Sequence, residues 1–281
     1  MPELPEVETV VRSLHQLIKG RRISDFSLYR EKLIPKFAPD RFSELVVGKR
    51  IEQVTRRAKY ILAALSNGWT IATHLRMSGT YQIMGTEHEN PKFTHAEFHF
   101  SDGERLVFSD QRHFGYITLF QTDLLHSEPE LAKLAPEPFS EEFSQDYLYN
   151  IVRSSKRQIK LLLLDQTKVC GVGNIYASEA LFLSGIHPET PSNRISRARA
   201  KRLKENICNV FEEAISHGVN VAIDPLNLES RYFSGDYEGE WRVYDREGEP
   251  CGKCGRPIRR LMHGGRSSFY CATCQRRPKQ V

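Results

Sequence analysis

Two Cys-x2-Cys pairs, Cys251/Cys254 and Cys271/Cys274, stand near the end of the sequence with 16 residues between them. Each pair suits a tight knuckle, and four thiolates at this spacing satisfy a tetrahedral zinc ion. All four positions are filled by protein, so the ion expected here is structural. The spacer carries Ile258 and Leu261, then Gly264-Gly265, then Ser267–Tyr270, which is a hairpin pattern. A zinc ribbon is therefore predicted, with metal supplying stability that so short a segment cannot draw from its own core. Cys170 and Cys208 lie apart from this cluster.

The same segment is strongly basic. From Cys251 to Val281 there are eight Lys/Arg and no Asp or Glu, although the whole chain carries a net charge of only +5. Arg259, Arg260 and Arg266 fall on the predicted hairpin, where guanidinium forks suit phosphate contacts. A ribbon also serves protein contacts, and a basic run is often a solvated tail.

At 281 residues the chain has room for about two domains. No apolar run is long enough to span a bilayer, and the acidic N-terminus is not a secretory signal. A cytoplasmic protein without membrane partners is expected.

The sequence opens Met1-Pro2-Glu3-Leu4-Pro5-Glu6. Residues 3–19 read as a helix with Val7, Val10, Val11, Leu14, Leu17 and Ile18 on one face and Gly20 as its stop. Prolines and acids suit the first turn of such a helix. Removal of Met1 gives the same residues a second meaning. Pro2 becomes a terminal secondary amine, a nucleophile able to form an iminium with an aldehyde-level carbon. Glu3 and Glu6 stand close enough to move the protons.

Residues 22–121 turn to short segments rich in β-branched or aromatic residues, several of them alternating, at 50–56, 59–65, 69–75, 79–84, 94–100, 105–109 and 115–121, separated by turn signals. This predicts an antiparallel sandwich or barrel. The fold class expected is α+β: a leading helix with a β-sandwich over 1–125, a linker over 126–140, a helical domain over 141–240 and the ribbon over 241–281. Helices are expected around Lys160–Asp165, over Ile175–Ser184 with Asn174 as N-cap, and over 195–217; a strand is expected near Glu240–Tyr244. The Gly171-Val172-Gly173-Asn174 turn offers backbone N–H groups at a helix start, an anion site. Lys59 sits between two strands, within reach of a phosphate. Met77 and Phe114, beside Arg112, can wedge into a base stack, though most such residues pack in cores.

In combination these motifs resemble the formamidopyrimidine-DNA glycosylase family along nearly the whole chain. The resemblance rests on the P-E-L-P-E-V-E-T opening, on L-L-D-Q-T-K-V-C-G-V-G-N-I-Y-A-S-E-A-L-F, similar to the family's helix–two-turn–helix motif, and on the final C-x2-C-x16-C-x2-C with R-P-I-R-R. It implies a monomeric, zinc-bearing base-excision glycosylase and AP lyase acting on double-stranded DNA with damaged bases or abasic sites. It assigns Pro2 as nucleophile, Glu3 as the acid that opens the sugar ring, Glu6 as a second acid, and Lys59 as a catalytic lysine. Arg266 and Asn174 become phosphate anchors, and Met77, Arg112 and Phe114 fill the gap left by an everted base. His95, Lys160 and Tyr176 complete the implied DNA contacts. Leu4 favours the branch acting on oxidised purines; endonuclease VIII-like activity on oxidised pyrimidines, or a non-catalytic damage-binding protein, are the alternatives. The stretch from His217 to Gly239 departs from the family's lesion-capping loop, which leaves the preferred base open.

Overall fold

The computed structural model describes residues 2–220 and 241–277. The described residues fall into two compact units, 2–132 with 217–220, and 133–216 with 241–277.

The first unit opens with α1 (Leu4–Ile18), followed by β1 (Ile23–Leu28) and α2 (Pro39–Val46). Then come β2 (Ile51–Arg57), β3 (Tyr60–Leu65), β4 (Trp69–His74), β5 (Gly79–Gly85), β6 (Thr94–Phe100), β7 (Glu104–Asp110) and β8 (Tyr116–Gln121), with a short α3 (Pro129–Ala132). The strands make two antiparallel sheets of four, ordered β1-β6-β7-β5 and β2-β3-β4-β8. Ile61, Leu65 and Ile71 from one sheet and Tyr81, Phe98, Leu106 and Phe108 from the other share a single core. The helix α1 closes that core with Val7, Val10, Val11, Leu14 and Ile18. Burying each such side chain is worth about 1.5–3 kcal/mol before entropy.

Polar contacts fix the angle of α1 on β2. Glu8 accepts from Arg56 at 2.8 Å, and His15 Nδ1 meets the backbone of Val54. Burial pushes the Glu8 carboxyl up, but Arg56 and Arg12 outweigh it and hold the group below its ordinary range. The expected strands are present, whereas β1 and α2 were not individually foreseen. Their signals are short: β1 is mostly half-buried or exposed, and α2 has two turns.

The second unit contains α4 (Gln145–Arg153), α5 (Ile159–Leu163), α6 (Asn174–Leu183) and α7 (Arg197–Asn220) as far as Ser216, then a hairpin of β9 (Arg259–His263) and β10 (Arg266–Tyr270). Gly264 and Gly265 both take positive φ at the hairpin tip, as a two-residue turn of this kind requires. Phe182 from α6 joins Val243, Cys251, Ile258, Phe269 and Cys271 in a small core.

Two expectations are corrected here. Asn174 is the first residue of α6, and Gly173 occupies the N-cap. Residues 241–244 form no strand, because their N–H groups go elsewhere. Arg242, Val243 and Tyr244 donate to the fully buried carboxylate of Glu179, at 3.0, 2.9 and 2.9 Å. Three backbone donors on one carboxylate bend the chain and dock it on α6. No helix among the described residues is long and apolar enough to cross a membrane. The predicted departure from a capping loop falls mostly on residues outside the described ones.

Candidate active site, nucleic-acid interface and metal centre

Pro2 and Glu3 are buried at the start of α1. Glu3 is the N-cap and forms a reciprocal capping box with Glu6. The Glu6 carboxylate accepts the Glu3 backbone N–H at 2.8 Å, while the Glu3 side chain accepts from the N–H of Glu6. Two carboxylates are thus locked at the positive end of a helix dipole, next to Pro2. A helix whose other face is buried cannot fray there without exposing its core, so this terminus is held.

Lys59 lies on the two-residue turn between β2 and β3 and is 6% exposed. Ala58 before it takes φ +50, the left-handed backbone such a turn needs at its first position. Since α1 packs on β2, the turn carrying Lys59 and the helix carrying Pro2 belong to one rigid assembly within the first unit.

His74 was not foreseen and belongs beside Lys59. Burial, then the charges of Arg76 and Lys59, push its imidazole down to about 3. Its Nδ1 accepts the Arg76 N–H at 3.0 Å, so the neutral ring carries its proton on Nε2. The ring stacks on Tyr116 at 5.8 Å and meets Tyr60 edge-on at 4.9 Å. A single His at a strand end gives no sequence signal of this kind.

Met77 and Phe114 are exposed apolar side chains, and the Arg112 guanidinium lies 5.5 Å above the Phe114 ring. Three other residues expected at the DNA surface lie inside the protein. His95 is 3% exposed and stacks on His113, with its Nε2 2.9 Å from His113 Nδ1. Tyr176 packs edge-on against Phe211 and Trp241. Lys160 is fully buried, and its Nζ donates to Ser178 Oγ at 2.8 Å and to the Ser267 carbonyl at 3.2 Å. All three also tie neighbouring elements together within their own units. Asn174 is half-buried at the start of α6, and Arg266 is exposed at the start of β10. The glycine turn before Asn174 is braced by Gln166, which donates to the Val172 carbonyl and accepts from Gly171 N–H.

The four ribbon cysteines converge, with all Sγ atoms within 4.8 Å of one another. Cys251 and Cys274 are 3.9 Å apart, and Cys254 and Cys271 are 3.5 Å apart. A tetrahedral tetrathiolate with Zn–S of about 2.3 Å spaces its sulfurs about 3.8 Å apart. The Arg256 backbone holds the Cys254 thiol down at about 7, whereas burial and then the neighbouring thiols push Cys274 up to about 12. Four thiolates crowded this closely repel one another unless a cation sits among them. The set fits one structural zinc.

Comparison with known proteins follows the same division. Residues 1–117 match the formamidopyrimidine-DNA glycosylase N-terminal domain, 134–223 its H2TH domain, and 248–277 a zinc finger found in FPG and IleRS. The formamidopyrimidine-DNA glycosylase of Desulforamulus reducens is 40% identical over 98% of this chain and 99% of its own length. That of Bacillus subtilis is 38% identical, with coverage of 98% and 99%. Among solved structures, Lactococcus lactis Fpg in complex with DNA containing an abasic site aligns with a TM-score of 0.89 at 31% identity, covering 98% of this chain and all of that one. The same enzyme with N7-benzyl-Fapy-dG DNA gives 0.90 at 32% identity, with the same coverage. Identity at this level, sustained from end to end and through all three regions in order, means that the chain belongs to the formamidopyrimidine-DNA glycosylase family.

Proposed function

We propose that this chain excises oxidised purines, formamidopyrimidines and 8-oxoguanine, from double-stranded DNA and cleaves the strand at the resulting abasic site, with Pro2 as the nucleophile. The observation that carries this reading is the buried start of α1, where Pro2 adjoins two carboxylates locked in one capping box. Once Met1 is removed, the unprotonated Pro2 amine attacks C1′ of an everted nucleotide. The glycosidic C–N bond breaks, the base leaves with a proton, and an iminium joins enzyme and sugar. Loss of the C2′ proton expels the 3′ phosphate, and a second elimination expels the 5′ phosphate. Glu3 assists ring opening, with Glu6 as the second acid. Lys59 supplies positive charge beside the reacting sugar. Asn174 and Arg266 anchor phosphates, helped by the positive end of the α6 dipole. Met77, Arg112 and Phe114 fill the space left in the stack.

Zinc in the ribbon supplies rigidity only. The division of labour follows sequence: catalysis over 1–125, helical DNA binding over 141–240, and the ribbon over 241–281. The protein acts as a monomer in a bacterial cytoplasm, in keeping with its bacterial relatives. A second reading, excision of oxidised pyrimidines, is favoured by one relative: Lactococcus lactis Fpg is described in complex with DNA containing an oxidised pyrimidine.

Single-turnover excision on otherwise identical duplexes carrying 8-oxoguanine, a formamidopyrimidine, or 5-hydroxycytosine tests the assignment. The formamidopyrimidine or 8-oxoguanine duplex should be cut fastest. Faster cutting of the 5-hydroxycytosine duplex would replace the purine reading with the pyrimidine one.

A further inference from the structure

Asp110 ends β7, is 1% exposed, and meets a set of donors from two separate loops. Its Oδ1 accepts from Ser78 Oγ at 2.5 Å and from Arg112 N–H at 3.1 Å; its Oδ2 accepts from Gly115 N–H at 2.7 Å. The Arg112 N–H also reaches Ser78 Oγ at 3.1 Å, which ties the loops directly to each other. The backbone of Asp110 adds two bonds: its N–H donates to the Phe93 carbonyl, and its carbonyl accepts from His113.

Ser78 follows Met77, while Arg112 to Gly115 brackets Phe114. One carboxylate therefore holds both loops that carry the exposed Met77, Arg112 and Phe114. The surroundings leave little play. A Cβ on Gly79, which pairs with Asp110 across the sheet, would lie 2.7 Å from the Leu75 carbonyl and 2.9 Å from the Phe108 ring. A Cβ on Gly115 would lie 2.8 Å from the same ring and 3.1 Å from Asp110 Oδ2. Arg76 and His113, one in each loop, are held at φ +56 and +61, a backbone conformation that persists only when its surroundings impose it.

We propose that Asp110 is the positioning residue for base eversion: it locks the Met77 loop to the Arg112–Phe114 loop so that the three side chains enter the base stack as one wedge. This rests on the reading of the chain as a glycosylase that everts its target. A carboxylate is required because all the side-chain contacts are donors. Although burial pushes its carboxyl up, the bonds from Ser78, Gly115 and Arg112 outweigh that effect and keep Asp110 below its ordinary range, hence an acceptor at every oxygen. An amide would set an NH2 against one of the N–H groups.

The test uses the full-length, zinc-loaded protein with Asp110→Asn and Ser78→Ala. The substrates are duplexes with one formamidopyrimidine opposite cytosine or adenine, and a duplex with a pre-formed abasic site. A wedge that no longer moves as one unit slows excision by about tenfold or more. It also narrows the preference for one opposite base over the other. Borohydride trapping at the abasic site, where no base is displaced, falls by less than about threefold. Ser78→Ala, which removes a single bond, gives a smaller loss in the same direction and decides the matter if Asp110→Asn does not fold. Folded variants with wild-type excision and wild-type opposite-base preference would overturn the proposal. Absence of trapping by the wild-type protein would instead overturn the glycosylase reading beneath it.

Discussion

The Glu6 carboxylate accepts the backbone N–H of Glu3 at 2.8 Å, so the second acid of the candidate site also holds the first one in place. Structural and chemical roles of Glu6 can be separated. Glu6→Gln keeps a carbonyl oxygen for the Glu3 N–H and should leave stability nearly unchanged while lowering excision. Glu6→Ala loses the cap and should cost about 0.5–2 kcal/mol as well. Urea unfolding beside single-turnover kinetics checks both. Equal excision by wild type and Glu6→Gln would remove Glu6 from the chemistry.

His74 makes the first unit sensitive to acid. Its folded value is about 3, against an unfolded value near 6.5, so above pH 6.5 the ring is neutral in both states and costs nothing. As pH falls from 6.5 toward 3, the unfolded chain takes up a proton that the folded ring refuses, and stability drops. The slope from this residue is at most about 1.4 kcal/mol per pH unit. His74→Gln, which keeps an acceptor for the Arg76 N–H, should flatten the fall between pH 6.5 and 4. An unchanged slope in urea titrations across that range would contradict the assignment. Some slope remains in the variant, because burial also lowers His95, His187 and His263.

Lys160 and Arg266 separate bracing from contact: Lys160 is buried against Ser178 and Ser267, whereas Arg266 is exposed. Arg266→Ala should reduce the slope of log K against log salt for DNA binding by about one. Lys160→Met should weaken binding without changing that slope, and should speed hydrogen exchange in the 259–270 hairpin. A slope change for Lys160→Met equal to that for Arg266→Ala would return it to the DNA surface.

The ribbon should hold one zinc per chain. Removing it with a chelator, or replacing Cys271 with Ser, should abolish exchange protection over 251–275 and weaken DNA binding, with no loss of protection in the β-sheets of the first unit. Metal analysis with hydrogen exchange measures both. A purified protein that lacks zinc and keeps a protected hairpin would refute the metal site.

The sequence made some of this legible for identifiable reasons. Short β-branched and aromatic runs bounded by turn signals located seven of the eight strands in the first unit, and cysteine spacing located the metal site, because both signals are local. Glu179 and Asp110 could not be read this way. Each is an ordinary acid in sequence: Glu179 holds a distant segment through backbone N–H groups that carry no residue identity, and Asp110 joins two nearby N–H groups to the Ser78 hydroxyl 32 residues away. The strand expected near 240–244 failed for that reason: its donors are taken by Glu179. The burial of Lys160, Tyr176 and His95 was not legible either, because charge and polarity do not report it. Of the candidate nucleophile, sequence gave the residue and its helix; the reciprocal lock between Glu3 and Glu6 emerged only from the folded terminus.

The central claim is that Pro2 reacts. Borohydride reduction during incubation with an abasic-site duplex tests it, using protein whose N-terminus is verified as Pro2 by mass spectrometry. The account predicts a covalent protein–DNA adduct, mapped by peptide sequencing to Pro2 and largely lost in Pro2→Gly. No adduct from correctly processed wild-type protein, or an adduct mapped to Lys59 and undiminished in Pro2→Gly, would contradict it.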